Sequence, residues 1–149
     1  MRIEDEIKQK AFKSEYEKLV VNLIFTHNWL IHILKEQLQN FEITITQYNI
    51  LRILRGQYPT PVSINLLKDR MLDKMSDTSR LVERLRVKGL VDRKISTDDR
   101  RKSDVKITDK GLKLLKNLDY IDSKAEAILS SINEKEAKSI NRLLDKLRC

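Results

Sequence analysis

The side chains best able to do chemistry in this 149-residue chain are its arginines and lysines, and they are unevenly spread. Residues 68–106 carry 13 basic against 8 acidic groups, whereas residues 1–43 carry 6 against 7, within a formal net charge of +8. Cations gathered in one segment favour a polyanionic partner, because Lys and Arg placed at phosphates release condensed counterions. Two clusters stand out. Ser76, Asp77, Ser79, Arg80 and Arg84 fall on the first two turns of an amphipathic stretch, and Arg100, Arg101 and Lys102 are consecutive, just behind Asp98 and Asp99. Hydroxyl, carboxylate and guanidinium groups on a helix can exchange hydrogen bonds with base edges in a DNA major groove, with Arg80 and Arg84 the best placed for bases or phosphates. A projecting arginine-rich loop suits a narrow minor groove, and the neighbouring acids can stiffen it. A merely solvated helix face with an Arg80–Glu83 ion pair is the competing reading.

Other chemistries find little in the chain. It has no glycine-rich phosphate loop and no nucleophile elbow. Two histidines, His27 and His32, with no cysteine beside them make a poor zinc site. No enzyme activity, cofactor or metal is therefore expected. Cys149 is the one thiol and has no partner within the chain for a disulfide. No run approaches the ~18 apolar residues of a membrane span, and a start with Glu4, Asp5 and Glu6 does not read as a signal peptide, so a cytoplasmic protein with no membrane partner is expected.

The clusters need elements to hold them. With three Gly, two Pro, 35% charged and 5% aromatic residues, the chain reads as mostly helical, and its length fits a single unit spanning 1–149. From Phe12 to Phe41 there is no Gly or Pro, and Phe12, Tyr16, Val20, Leu23, His27, Leu30, Leu34 and Leu38 recur at helical steps. So long a helix can bury only part of its stripe in a small lobe, and a partner chain is expected to cover the rest. Phe25, Trp29, His32 and Glu36 form a second stripe, which ordinary packing explains without a ligand. Thr44 and Gln47 fit a capping box that opens a helix stopping at Gly56, and Pro59 and Pro61 then force a turn. Ser63 or Asn65 can start a short helix carrying Leu66, Leu67 and Met71. Asp73 to Ser76 breaks it, and another helix begins near Ser76, with Thr78, Leu81, Val82 and Leu85 on its apolar face, ending at Lys88 and Gly89. Two helices joined by a tight polar turn form a helix-turn-helix. Leu90–Ile95 and Val105–Ile107 have β character around the polar loop Ser96–Asp104, which makes a hairpin with a basic tip. Thr108 caps a helix expected to run to about Ile132, and a last helix follows from Glu134 with Ala137, Ile140, Leu144 and Leu147 on one face. The expected fold is mostly α with a small β-hairpin wing: a winged helix-turn-helix over 44–111, flanked by N- and C-terminal helical regions over 1–43 and 112–149.

In this order and spacing, SDTSRLV at 76–82, VKGLVDR at 87–93, DRR at 99–101 and VKITDKG at 105–111 resemble the MarR (multiple antibiotic resistance regulator) family of winged-helix transcription factors, over roughly residues 44–112. The resemblance implies a homodimer held by the flanking helices. Its two recognition helices would enter successive major grooves of a pseudo-palindromic double-stranded DNA operator, with the wings in adjacent minor grooves. Carried over by position, Ser76, Asp77, Ser79 and Arg80 would read the major groove, Arg101 or Arg100 would enter the minor groove, and Asp99 would hold the wing in shape. The family commonly represses transcription and releases DNA when a small, often aromatic effector fills a crevice between the dimerisation helices and the DNA-binding lobe. That makes Phe25, Trp29, His32 and Tyr48 pocket candidates, with packing as the competing reading for each. Members that sense peroxides use a cysteine near the N-terminal helix; this chain has none there, so redox sensing is not expected. The alternative to DNA reading is a winged-helix module that binds protein, whose wing would need fewer exposed arginines.

Overall fold

The computed structural model describes residues 2–95 and 103–149, which fall into two compact units, Met1–Leu112 and Lys113–Cys149. The first unit opens with a single helical turn, α1 (Ile3–Glu6), followed by α2 (Glu15–Leu38). Ser14 starts α2 by accepting from the Glu17 N–H, so Phe12 lies ahead of the helix rather than on its stripe. Lys18 reaches back to Glu4 at 2.7 Å and ties the two elements together. That ammonium holds the Glu4 carboxyl at about 2, well below its ordinary 4.5. The far end of α2 tightens into a 3-10 turn, Gln39–Phe41, closed by Glu42 in the left-handed region at φ 54°.

At a rise of ~1.5 Å per residue, the 24 residues of α2 extend about 36 Å. Leu38 is the only one fully buried, while Tyr16, Leu19, Val20, Leu23, Ile24, Phe25 and Trp29 stay exposed.

The core of this unit is built around α3 (Ile45–Gln57), which buries Gln47, Tyr48, Ile50, Leu51 and Leu54. Both halves of its capping box are present: Thr44 Oγ1 accepts from the Gln47 N–H, and the Gln47 side chain accepts from the Thr44 N–H. The helix does not stop at Gly56, whose φ is not positive, but at Gln57. Pro59 ends it, since proline has no N–H and disfavours helical backbone at the residue before it. Next come β1 (Val62–Ser63), α4 (Ile64–Arg70), α5 (Thr78–Val87), β2 (Val91–Ile95) and β3 (Ser103–Ile107). Ser63 caps α4 by accepting from the Leu66 N–H at 3.2 Å.

The strands form one antiparallel sheet in the order β1-β3-β2, with Val62 opposite Val105, Val91 opposite Ile107 and Ile95 opposite Ser103. β1 has no counterpart in the sequence reading, because two residues carry no periodicity. Ser103 and Asp104, read as loop, are strand residues, and Asp104 faces Ser63 on one side and Lys94 on the other. The predicted wing tip, including Asp99, Arg100, Arg101 and Lys102, lies outside the described residues.

Thr108 opens α6 (Asp109–Asn117) by accepting from the Gly111 N–H at 3.1 Å. The expected continuous helix to Ile132 is broken. α6 ends at Asn117 and α7 spans Tyr120–Ile128, with the Leu118, Asp119 and Ile121 N–H groups bonding three residues back. Asn117 and Asp119 are among the weaker helix formers, so this stretch gives way most readily to a tighter turn. In the second unit, Asn133 and Glu136 make a reciprocal capping box that starts α8 (Glu134–Leu147), whose Ile140, Leu143 and Leu147 are exposed. Among the described residues no helix is long and apolar enough to cross a membrane.

Candidate nucleic-acid interface

α5 is held at both ends. It starts at Thr78, two residues later than its expected start near Ser76, because Asp77 is the cap and its Oδ1 accepts from the Arg80 N–H at 3.0 Å. Ser76 sits in the preceding turn, where its hydroxyl donates to Asp73 Oδ2 at 2.7 Å, and Asp73 Oδ1 accepts from the Met75 N–H at 3.0 Å. Those two donors hold the Asp73 carboxyl below its ordinary range. Earlier in the turn, Asn49 Oδ1 on α3 accepts from the Leu72 N–H at 3.0 Å, and the Lys74 ammonium donates to the Asp69 carbonyl at the end of α4.

The other end of α5 closes on Gly89 at φ 72°, a conformation that favours glycine. The Gly89 N–H bonds the Arg86 carbonyl at 2.8 Å and the Leu90 N–H bonds the Leu85 carbonyl at 3.0 Å, the paired closure of a Schellman motif. Thr108 Oγ1 donates to the Gly89 carbonyl and Lys110 Nζ to the Lys88 carbonyl, both at 2.8 Å. The Lys88 ammonium in turn donates to the Glu42 carbonyl.

Between these anchors α5 has two unlike faces. Thr78, Val82 and Leu85, spaced by four and three residues, are buried, while Ser79, Arg80 and Arg84 are exposed together. The anticipated Arg80–Glu83 pair does not form. Glu83 instead binds Arg86, with Oε1 2.7 Å from Nη2 and a second contact at 3.0 Å from Nε, which lowers the Glu83 carboxyl's pKa and raises that of the guanidinium. Among the described residues neither Arg80 nor Arg84 has an ion-pair partner, so both guanidinium groups keep their hydrogen-bonding capacity for an external ligand.

Of the other residues singled out in the sequence, Ser76 and Asp77 are engaged locally at the N-terminal end of α5, beside the exposed face. Phe25, Trp29 and His32 lie exposed on α2, with His32 Nδ1 3.6 Å from Glu36. Tyr48 is buried on α3, where the Arg52 guanidinium sits 5.7 Å from its ring centre. Asn49 and Lys110 carry no signal of these contacts in the sequence, and Asp73 reads there only as the start of a helix break. The partners of Asn49 and Lys110 are 23 and 22 residues away, so no local pattern announces them. Among the described residues no group of three or more His, Cys, Asp or Glu side chains is placed to hold a metal ion.

A short helix, a pinned turn and a second helix with a cationic outer face, followed by a small antiparallel sheet, define a winged helix-turn-helix, a fold that carries a helix to the major groove. Comparison with known proteins agrees. Residues 43–103 match the MarR family. The chain is 32% identical to a MarR transcription factor from Planctomyces limnophilus, covering 91% of this chain and 98% of that one with a TM-score of 0.68. Its fold is shared with the S. aureus MepR–DNA complex, at 23% identity, coverage of 83% and 93%, and TM-score 0.72. It is also shared with Bordetella bronchiseptica BpsR, whose DNA binding is regulated by 6-hydroxynicotinic acid, at 21% identity, coverage of 89% and 100%, and TM-score 0.76. The chain belongs to the MarR family of DNA-binding transcription regulators.

Proposed function

We propose that this regulator is a cytoplasmic homodimeric repressor that reads a pseudo-palindromic operator through Ser79, Arg80 and Arg84. Ser76 and Asp77 lie at the groove entrance, Arg101 or Arg100 of the wing, supported by Asp99, enters the minor groove, and Lys102 contacts phosphate. The observation that carries the DNA reading is the exposed face of α5, where two arginines have no ion-pair partner among the described residues. A protein-binding wing would not need that free cationic surface. The dimer rests on the exposed apolar side chains of α2 and α8, which give residues 1–43 and 112–149 a dimerising role. A small aromatic effector bound near Phe25, Trp29, His32 and Tyr48 would tune DNA affinity, a reading supported by the regulation of BpsR by 6-hydroxynicotinic acid.

Selection of the purified protein on a random duplex pool at two salt concentrations tests this function. An enriched two-fold sequence is expected, with log affinity falling against log salt by about 0.9 for each phosphate neutralised. Retention without enrichment would leave general DNA affinity only, and no retention at low salt would favour the protein-binding alternative.

A further inference from the structure

Among the described residues one hydrogen bond ties the turn that launches α5 to α3, and we infer that its acceptor, Asn49, is a positioning residue that sets how the recognition helix meets base edges. This rests on the DNA-binding reading above and adds a residue to it. Leu72 follows the last turn of α4, where the Met71 N–H is satisfied by the Leu67 carbonyl and the Met71 side chain is buried. From Leu72 onward the chain leaves the core: Leu72 and Met75 are 84% and 93% exposed, so side-chain packing does little to fix the turn. Hydrogen bonds fix it instead. Asp73 closes the turn on itself through Met75 and Ser76, and Asp77 closes the start of α5 through Arg80, both within the segment, while Lys74 reaches back only to the adjoining end of α4. Asn49 Oδ1 to the Leu72 N–H, at 3.0 Å, reaches across 23 residues and refers the turn to α3, the most buried helix of the unit.

The location of this bond separates orientation from stability. Leu72 is exposed, so its N–H finds water when the asparagine acceptor is removed, and little folding energy is lost. Alanine is also a better helix former than asparagine within α3. The turn would lose its reference to α3 while the fold persists, and Ser79, Arg80 and Arg84 would present their groups to the bases over a wider range of angles. Phosphate contacts tolerate such slack, whereas directional base contacts do not.

The test compares Asn49→Ala and Asn49→Asp with the wild type, using a duplex enriched by the wild type from a random pool and a random duplex of equal length. The readout is the ratio of the two affinities, in which any uniform charge effect of the aspartate cancels. Asn49→Ala is expected to melt close to the wild-type temperature and to lose about tenfold in the ratio, the discrimination carried by one good base contact. Asn49→Asp keeps an acceptor for the Leu72 N–H and is expected to restore the ratio. A wild-type ratio in Asn49→Ala, or an Asn49→Asp ratio as low as that of the alanine variant, would overturn the role of Asn49 alone. Failure of the wild type to enrich any duplex would instead overturn the DNA reading, and the role of Asn49 with it.

Discussion

At the residue scale, function depends on which charges the fold leaves unspent. Lys18 is used on Glu4, Arg86 on Glu83, Lys74 on the Asp69 carbonyl, Lys88 on the Glu42 carbonyl and Lys110 on the Lys88 carbonyl. The surface cations of the sequence are therefore not equivalent in the hydrogen-bonding capacity they keep for a ligand. Arg80 and Arg84 differ in having no internal acceptor among the described residues. If Arg80 makes a base contact, Arg80→Ala should cost roughly 1–3 kcal/mol on the selected duplex and much less on random duplex, whereas Lys102→Ala, removing a phosphate contact, should weaken both nearly equally. Fluorescence anisotropy on the two duplexes checks this, and equal losses for Arg80→Ala would remove it from the set of base-reading residues. The exposure of Arg80 and Arg84 was legible in the amphipathic spacing, but the competition for Glu83 was not: nothing local to Glu83 says whether it takes Arg80 or Arg86, since both lie three residues away on one helix.

At the element scale, the helix starts that depend on nearby residues were legible and the tertiary ties were not. Thr44 with Gln47, Ser63, Thr108 and Asn133 each satisfy an N–H three residues on, so the chemistry of the cap is written within four positions. The start of α5 was displaced because Ser76 and Asp77 are both competent caps, and Asp73 decides between them by taking the Ser76 hydroxyl. β1 was missed because it exists only as a partner of β3, and the break between α6 and α7 was missed because the apolar spacing continues through it. Gly111 shows an element-level constraint with a measurable cost. A Cβ placed there, in the first turn of α6, would lie 2.4 Å from the Leu90 carbonyl oxygen and 2.7 Å from Ile107 Cγ1. Backbone cannot yield as a flexible side chain can, so Gly111→Ala should destabilise the protein by about 1–3 kcal/mol despite alanine's better helix propensity. Chemical denaturation reads the loss, and unchanged stability would show that α6 can move off Leu90 without cost.

At the scale of the whole molecule, the first unit has a well-filled core around α3 and a long helix that the unit itself hardly covers. Tyr16, Val20 and Trp29 are 83%, 56% and 44% exposed on α2, and Ile140, Leu143 and Leu147 are exposed on α8. Exposed apolar area on this scale marks an interaction surface, which the proposed function assigns to a second copy of the chain, the partner that would also match a two-fold operator. The periodic stripe made the length of α2 legible, but no spacing rule says which of its faces the chain keeps for itself. On the proposed function, two recognition helices would sit about one DNA turn apart, ~34 Å, which only a dimer can supply. The most direct measurement is sedimentation equilibrium of the protein alone and with the selected duplex, for the wild type and for Val20→Glu, which places a charge on the exposed stripe. The account predicts a wild-type dimer, two chains per duplex, and a Val20→Glu protein that is folded, monomeric and weakened on the selected duplex. A wild-type monomer that binds one chain per duplex with full affinity would contradict it.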